Sequence, residues 1–154
     1  MSGIEILTYE EKDKDRTIEF IVGILEGEFG FSRERPDLAN IPNFYQAPNG
    51  NFWLAVENDV VVGTIALKDY EEGRGYLKRM YVKRELRGTG LADKLLSELV
   101  EHAKKNGFET IYLGTDVSMR RAQGFYSKKG FEKMDRLPDG LPDFGDTIFF
   151  KLDI

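Results

Sequence analysis

Apolar positions follow two different periods along this chain, and each period predicts an element. Ile4, Ile6 and Tyr9 mark a short first strand. Ile18, Ile21, Val22 and Leu25 recur three and four residues apart, which predicts a helix over 17–29. Gly23 and Gly27 weaken that helix. Pro36, Pro42 and Pro48 keep any helix between 35 and 50 short. Residues 52–56 are apolar and aromatic, Asn58-Asp59 supplies a turn, and 60–67 is β-branched and apolar. That order is a hairpin signature. A charged, glycine-containing turn over 68–75 leads into a third strand at 76–82.

The second half has the clearest pattern. Residues 89–106 form a strong amphipathic helix. Leu91, Leu95, Leu99 and Ala103 lie in one row, and Ala92, Leu96 and Val100 lie in the next. Lys104 and Lys105 fall in the last turn, where the helix dipole favours cations, and Asn106-Gly107 ends the helix. A strand at 110–115, a helix at 119–129 stopped by Gly130, and strands at 131–134 and 147–152 follow. A proline- and glycine-rich loop over 137–145 separates the last two strands. The expected architecture is α/β, a mixed sandwich of one sheet and helices.

Composition narrows the function. The 154 residues, 41% of them hydrophobic, make one domain over 1–154 that buries its own core. No apolar run reaches the ~18 residues of a membrane span, and residues 1–10 lack the apolar stretch of a signal peptide. A cytoplasmic, soluble protein is therefore expected. There is no cysteine and His102 is the sole histidine. Disulfides, thiolate metal sites, a cysteine nucleophile and a His-rich metal centre are all disfavoured, so no metal is expected. The net charge of −5 argues against nonspecific binding to nucleic acid. Two basic stretches stand against it. Lys78, Arg79, Lys83, Arg84 and Arg87 form one, and Arg120, Arg121, Lys128, Lys129 and Lys133 form the other. They fit either a bound anion or a solvated surface.

The most informative segment runs from a strand through Arg87-Gly88-Thr89-Gly90-Leu91-Ala92 into the long helix. The first turn of a helix carries N–H groups with no intrahelical partner, at the positive end of the dipole. Glycines let a bulky anion approach the backbone, and Arg87 adds a planar cation. These features suit a diphosphate, although a capped helix after a tight turn has the same outline. A dinucleotide loop would need a third glycine where Asp93 stands, and the lysine of a Walker loop is absent.

Arg87, Gly90 and Ala92, preceded by Met80-Tyr81-Val82, resemble the acetyl-CoA loop of the GNAT superfamily of N-acetyltransferases, whose pattern is Gln/Arg-x-x-Gly-x-Gly/Ala. Ala122, Phe125-Tyr126, Lys128 and Gly130-Phe131 resemble that family's second signature. Met119 departs from it, standing where the family often has asparagine. The close resemblance covers residues 52–134. It implies a mostly antiparallel sheet of six or seven strands, splayed in the middle and flanked by helices. It implies acetyl-CoA as cosubstrate, held by Met80, Tyr81, Val82, Arg87, Gly88, Thr89, Gly90, Leu91, Ala92, Ala122 and Phe125. Backbone groups of Met80 and Val82 would pair with the pantetheine arm, and the Val82 amide would donate to the thioester oxygen. Tyr126 would be the catalytic acid.

The chemistry makes specific demands. An alkylamine, with a pKa of ~10, must lose a proton before it attacks a thioester. The developing oxyanion needs a positioned donor, and the expelled thiolate, whose conjugate acid has a pKa of ~8.5, needs a proton. Without cysteine, direct transfer in a ternary complex is expected. Glu28, Asp69, Glu71 and Asp116 are candidate bases, and a water chain is another. Strict alternation puts Tyr76, Lys78 and Met80 on one strand face and Leu77, Arg79 and Tyr81 on the other, so one of Lys78 or Arg79 faces the acceptor. A cation there suits a small amine bearing a carboxylate, such as an amino acid. Phe29, Phe31, Phe44 and Tyr45 are candidate cleft residues, and His102 has no expected role. An idle acetyl-CoA binder, acting as a sensor or partner subunit, and a peptide acetyltransferase are the alternatives. The chain is expected to act as a monomer or homodimer, without membrane or nucleic-acid partners.

Overall fold

The structure is a computed structural model and describes residues 3–27, 35–117, 119–142 and 144–154. Its elements are β1 (Ile4–Thr8), α1 (Lys14–Gly27), β2 (Asn51–Glu57), β3 (Val60–Asp69), β4 (Arg74–Val82), α2 (Leu91–Lys105), β5 (Thr110–Thr115), α3 (Arg120–Lys128), β6 (Glu132–Met134) and β7 (Ile148–Asp153). The strands form one seven-stranded sheet in the order β1-β2-β3-β4-β5-β7-β6. Every neighbouring pair is antiparallel except β4 and β5.

The β2–β3 hairpin forms where the apolar run is interrupted. Asn58 and Asp59 both take left-handed backbone, with φ of 51° and 64°, which matches the twist of a two-residue hairpin turn. β2 is apolar at successive positions because both sheet faces are covered. Trp53 and Ala55 enter the core under α2, while Phe52, Leu54 and Val56 enter a second core under α1. The row Leu91, Leu95, Leu99 and Ala103 of α2 is fully buried in the first core. Ile21 and Leu25 of α1 serve the second, with Leu38, Ile41 and Tyr45 from the segment after it.

Helix ends moved for identifiable reasons. α2 begins at Leu91, two residues after the expected start, because Gly90 has φ of 93° and cannot lie in a right-handed turn. α1 begins three residues before Thr17, behind a turn in which Glu10 and Asp13 bond each other's backbone. The expected end of that helix at Phe29, together with Glu28 and Phe31, lies outside the described residues. Between 35 and 50 the backbone makes only short turns at Pro36–Leu38 and Pro42–Gln46.

β4 and β5 pair at only three positions, from Arg74 opposite Thr110 to Tyr76 opposite Tyr112. β4 then runs on to Val82 with no β5 partner, and the sheet opens between the two strands.

Candidate active site

The opening is enlarged by a bulge in β4. Ala66 lies opposite Lys78 and Thr64 opposite Tyr81, so Arg79 and Met80 together face the single residue Ile65. Arg79 has φ of 55°, a left-handed conformation that costs a residue with a side chain about 1–2 kcal/mol. Three contacts hold it there. The Thr64 hydroxyl donates to the Arg79 carbonyl at 2.7 Å. The Arg79 guanidinium donates through Nε and one terminal nitrogen to the two Asp37 oxygens, at 2.8 and 2.7 Å. Its other terminal nitrogen donates to the Tyr81 hydroxyl at 3.3 Å. Tyr45 donates its hydroxyl to Asp37 from the other side.

Asp37 is buried and Arg79 is mostly so. Burial pushes the Asp37 carboxyl up, but the bonds and charge of Arg79, then Tyr45 and Lys78, outweigh it and hold the group below the usual range. Arg79 is likewise pulled upward by Asp37 against its own burial. Both shifts favour the ionised pair at neutral pH.

The bulge corrects the expected alternation. Met80 packs with Leu77 and Val82 in the core under α2, while Tyr81 packs with the core under α1. Met80 therefore lies on the Leu77 side, because one extra residue flips every later side chain. Lys78 and Arg79 both line the cavity in the opening, instead of one of them. The Arg79 fork is committed to Asp37, and Lys78 stands over the Phe144 ring at 3.6 Å.

The same geometry orients the backbone. The Lys83 N–H bonds to the Val62 carbonyl of β3 at 2.8 Å. Alternation then turns the N–H and C=O of Val82 away from β3, towards the opening. The Arg79 carbonyl points at Thr64, so the Met80 N–H, on the opposite side of that trans peptide, also faces away from β3.

Across the opening stands α3. Tyr126 is buried among the rings of Phe125, Phe131 and Phe150, and its hydroxyl reaches the Met80 Sδ at 3.5 Å. Burial, with a smaller contribution from Tyr81, pushes its pKa well above the ordinary tyrosine range. It therefore holds its proton at neutral pH. A cavity of about 320 Å³ occupies the space. Met80, Tyr81, Ala122 and Tyr126, all expected site residues, line it. So do Phe44 and Asp116. Asp69 bonds Asn49 and the Glu71 N–H, and Glu71 sits exposed in the turn after it, so neither belongs to the cavity. His102 instead bonds the Asn49 carbonyl and packs on Trp53.

The remaining expected residues lie past the end of β4. Arg87 donates from Nε to the Val82 carbonyl at 3.1 Å, which ties the loop to the strand. Thr89 bonds back to Leu86. Gly88 and Gly90 have φ of 80° and 93°. A Cβ at Gly90 would project into open space, and one at Gly88 would stand 4.0 Å from the Arg121 guanidinium. Leu91 is fully buried, so its backbone alone faces the loop, while Ala92 and Phe125 pack at the edge of the core. Arg121 of the second basic stretch thus stands beside this loop, where the first-turn helix amides, the left-handed glycines and Arg121 fit a diphosphate. Lys129 pairs with Asp93 and fastens α3 to α2.

Sequence reasoning missed several residues that shape the site. Asp37, Phe144 and Asp146 line the cavity. Asp146 and Tyr76 crowd Gly114, where an added Cβ would lie 2.5 and 2.8 Å from their oxygens. No local pattern announces them, because all three come from loops.

Comparison with known proteins agrees with this geometry. The family model described as Acetyltransferase (GNAT) family matches residues 18–131. A crystal structure of a GNAT family acetyltransferase from Staphylococcus aureus Mu50 is 36% identical, covers 97% of this chain and 98% of its own, and superimposes with a TM-score of 0.92. A PaiA N-acetyltransferase from Thermoplasma acidophilum, solved in complex with coenzyme A, shares the fold at 22% identity, full coverage of both chains and a TM-score of 0.80. An N-acetylaspartate synthetase of Danio rerio is 33% identical over 105 residues, 67% of this chain and 37% of that protein. This chain spans about two fifths of the length of such curated relatives. With the splayed sheet, the bulged strand and the glycine loop all in place, the chain belongs to the GNAT family of acetyltransferases.

Proposed function

We propose that the protein moves the acetyl group of acetyl-CoA onto the primary amine of a small molecule, by direct attack in a ternary complex. One observation carries the reading: Met80 of the bulged strand, its N–H turned away from β3, and the Tyr126 hydroxyl of α3 line one cavity in the opened sheet. Acetyl-CoA supplies a thioester whose carbonyl accepts an amine and whose sulfur leaves as thiolate. The loop from Arg87 to Ala92 and the Arg121 guanidinium hold the diphosphate. The Met80 and Val82 backbone pairs with the pantetheine arm, and the Val82 N–H stabilises negative charge on the reacting carbonyl oxygen. Tyr126 delivers its proton to the departing sulfur. Asp116, or water beside it, takes the proton of the amine. With no cysteine in the chain, no thiol acyl-enzyme forms.

A cavity of about 320 Å³ suits an acceptor of amino-acid size, and Lys78 in its wall suits one that carries a carboxylate. Several relatives are named N-acetylaspartate synthetase, which is in keeping with such an acceptor. No described helix is long and apolar enough to cross a membrane. The reading extends to a cytoplasmic enzyme acting as a monomer or homodimer.

Thiol release from acetyl-CoA, measured over a panel of amino acids, polyamines and peptides, tests the reading. Turnover is expected with small carboxylated amines above peptides. Binding without transfer to any amine would point instead to an idle acetyl-CoA sensor. Acetyl-CoA should also raise the melting temperature, and more than NAD or ATP at equal concentration. A ligand at a hundred times its Kd stabilises the native state by about 2.7 kcal/mol. Equal shifts from all three nucleotides would remove the diphosphate site from the Arg87–Ala92 loop.

A further inference from the structure

The bulge in β4 is anchored from the cavity wall formed by the short turns that follow α1. Asp37 and Phe44 line that wall, and Asp37 is the residue that grips Arg79. Arg79 is the one residue of β4 with left-handed backbone, and it is not a glycine. Its conformation persists only because its surroundings overdetermine it. The bidentate pair with Asp37 fixes the side chain, Thr64 fixes the carbonyl, and Tyr45 fixes Asp37. The residues immediately after the bulge are those whose N–H groups face the opening.

We propose that the Asp37–Arg79 pair is a positioning device: it holds residue 79 left-handed, which sets the bulge and aims the Met80 and Val82 N–H groups at the acyl donor. The proposal rests on the reading of the opened sheet as the acetyl-CoA site. It assigns Arg79 no contact with the acceptor, although Arg79 lines the cavity, because its fork is already spent on Asp37. A relaxed residue 79 would let the bulge slip along β4, and a one-residue slip turns each following N–H to the other side.

Glycine takes a φ of 55° freely and alanine only at the backbone cost that any side chain carries there, so the two replacements separate backbone from side chain. Both partners are changed together, because removing one alone strands a buried charge. Asp37→Asn/Arg79→Ala should lower kcat at least about tenfold. Asp37→Asn/Arg79→Gly, equally without the guanidinium, should keep a kcat at least about fivefold above that of the alanine variant. The pairing of Thr64 with Tyr81, followed by cross-strand amide NMR contacts, should persist in the glycine variant and shift in the alanine variant. Thr64→Val is the milder arm if the alanine variant does not fold. It should displace the Val82 amide resonance and lower kcat in the same direction.

Equal kcat in the two double variants would overturn the proposal, as would an unshifted register in the alanine variant. A raised acceptor KM with unchanged kcat in both would make Arg79 an acceptor ligand and overturn it too. An unaltered protein that transfers no acetyl would sink the enzymatic reading instead. The register measurement would still decide whether the pair sets the bulge.

Discussion

Tyr126→Phe should lower turnover by about 10²–10⁴-fold, the usual range for a lost general acid. The substitution removes one oxygen and leaves the ring in place among Phe125, Phe131 and Phe150, so the melting temperature should barely move. Acetyl-CoA affinity should change little, because the Arg87–Ala92 loop proposed to hold the phosphates lies past the end of β4. The pH dependence follows from the raised pKa of Tyr126. A phenol pushed upward by burial keeps its proton beyond the ~10 of an ordinary tyrosine, so the acid remains available on the alkaline side. The unaltered rate should therefore climb as the amine loses its proton and should not fall between pH 8 and ~10. In the variant the deficit should shrink at low pH, where solvent protonates the thiolate more readily. The measurement is thiol release at saturating acceptor across that range, beside calorimetric binding of acetyl-CoA. Unchanged turnover would give the proton to water or another residue. A loss of affinity without a loss of turnover would make Tyr126 a packing residue only.

Much of this site is legible in the sequence, and the illegible part has one physical origin. The β2–β3 hairpin and α2 are visible because a core on each side forces its own period on the residues. The Arg87–Ala92 loop is visible because left-handed backbone at Gly88 and Gly90 calls for glycine. The bulge in β4 uses the same backbone region at Arg79 without glycine, and so leaves no local mark. What stabilises it comes from Asp37 and Thr64, far away along the chain. Alternation then puts Met80 on the wrong face and offers Arg79 to an acceptor, when a buried carboxylate has already taken it. Asp146 escapes notice for a related reason. It reaches the cavity from a loop, and the space for it exists because Gly114 in β5 has no side chain. Tyr126 alone reads as a core tyrosine, and only its place in the second motif singles it out.

Gly90 offers the sharpest separation between binding and folding. It caps α2 with φ of 93°, and a Cβ there would enter empty space rather than another part of the protein. Any side chain at this position carries a backbone penalty of about 1–2 kcal/mol, which corresponds to roughly 2–8 °C in a domain of this size. Gly90→Ala should show that loss and little more. Gly90→Glu should show a similar loss of melting temperature, since the Cβ of either side chain meets no protein atom. Its carboxylate, however, would occupy the mouth of the helix amides and repel the diphosphate proposed to bind there. Acetyl-CoA affinity should then fall by about 10²-fold or more, of the order expected when a desolvated like charge enters a phosphate site. The two effects separate with a truncated donor. Acetyl-pantetheine lacks the diphosphate, so its turnover should be nearly equal in the alanine and glutamate variants. Calorimetry with acetyl-CoA and thiol release with acetyl-pantetheine together decide the matter. If the glutamate variant binds acetyl-CoA as tightly as the alanine variant, the phosphates lie elsewhere. If it loses acetyl-pantetheine turnover to the same degree as acetyl-CoA affinity, the substitution has disturbed β4 or α2 rather than the anion site.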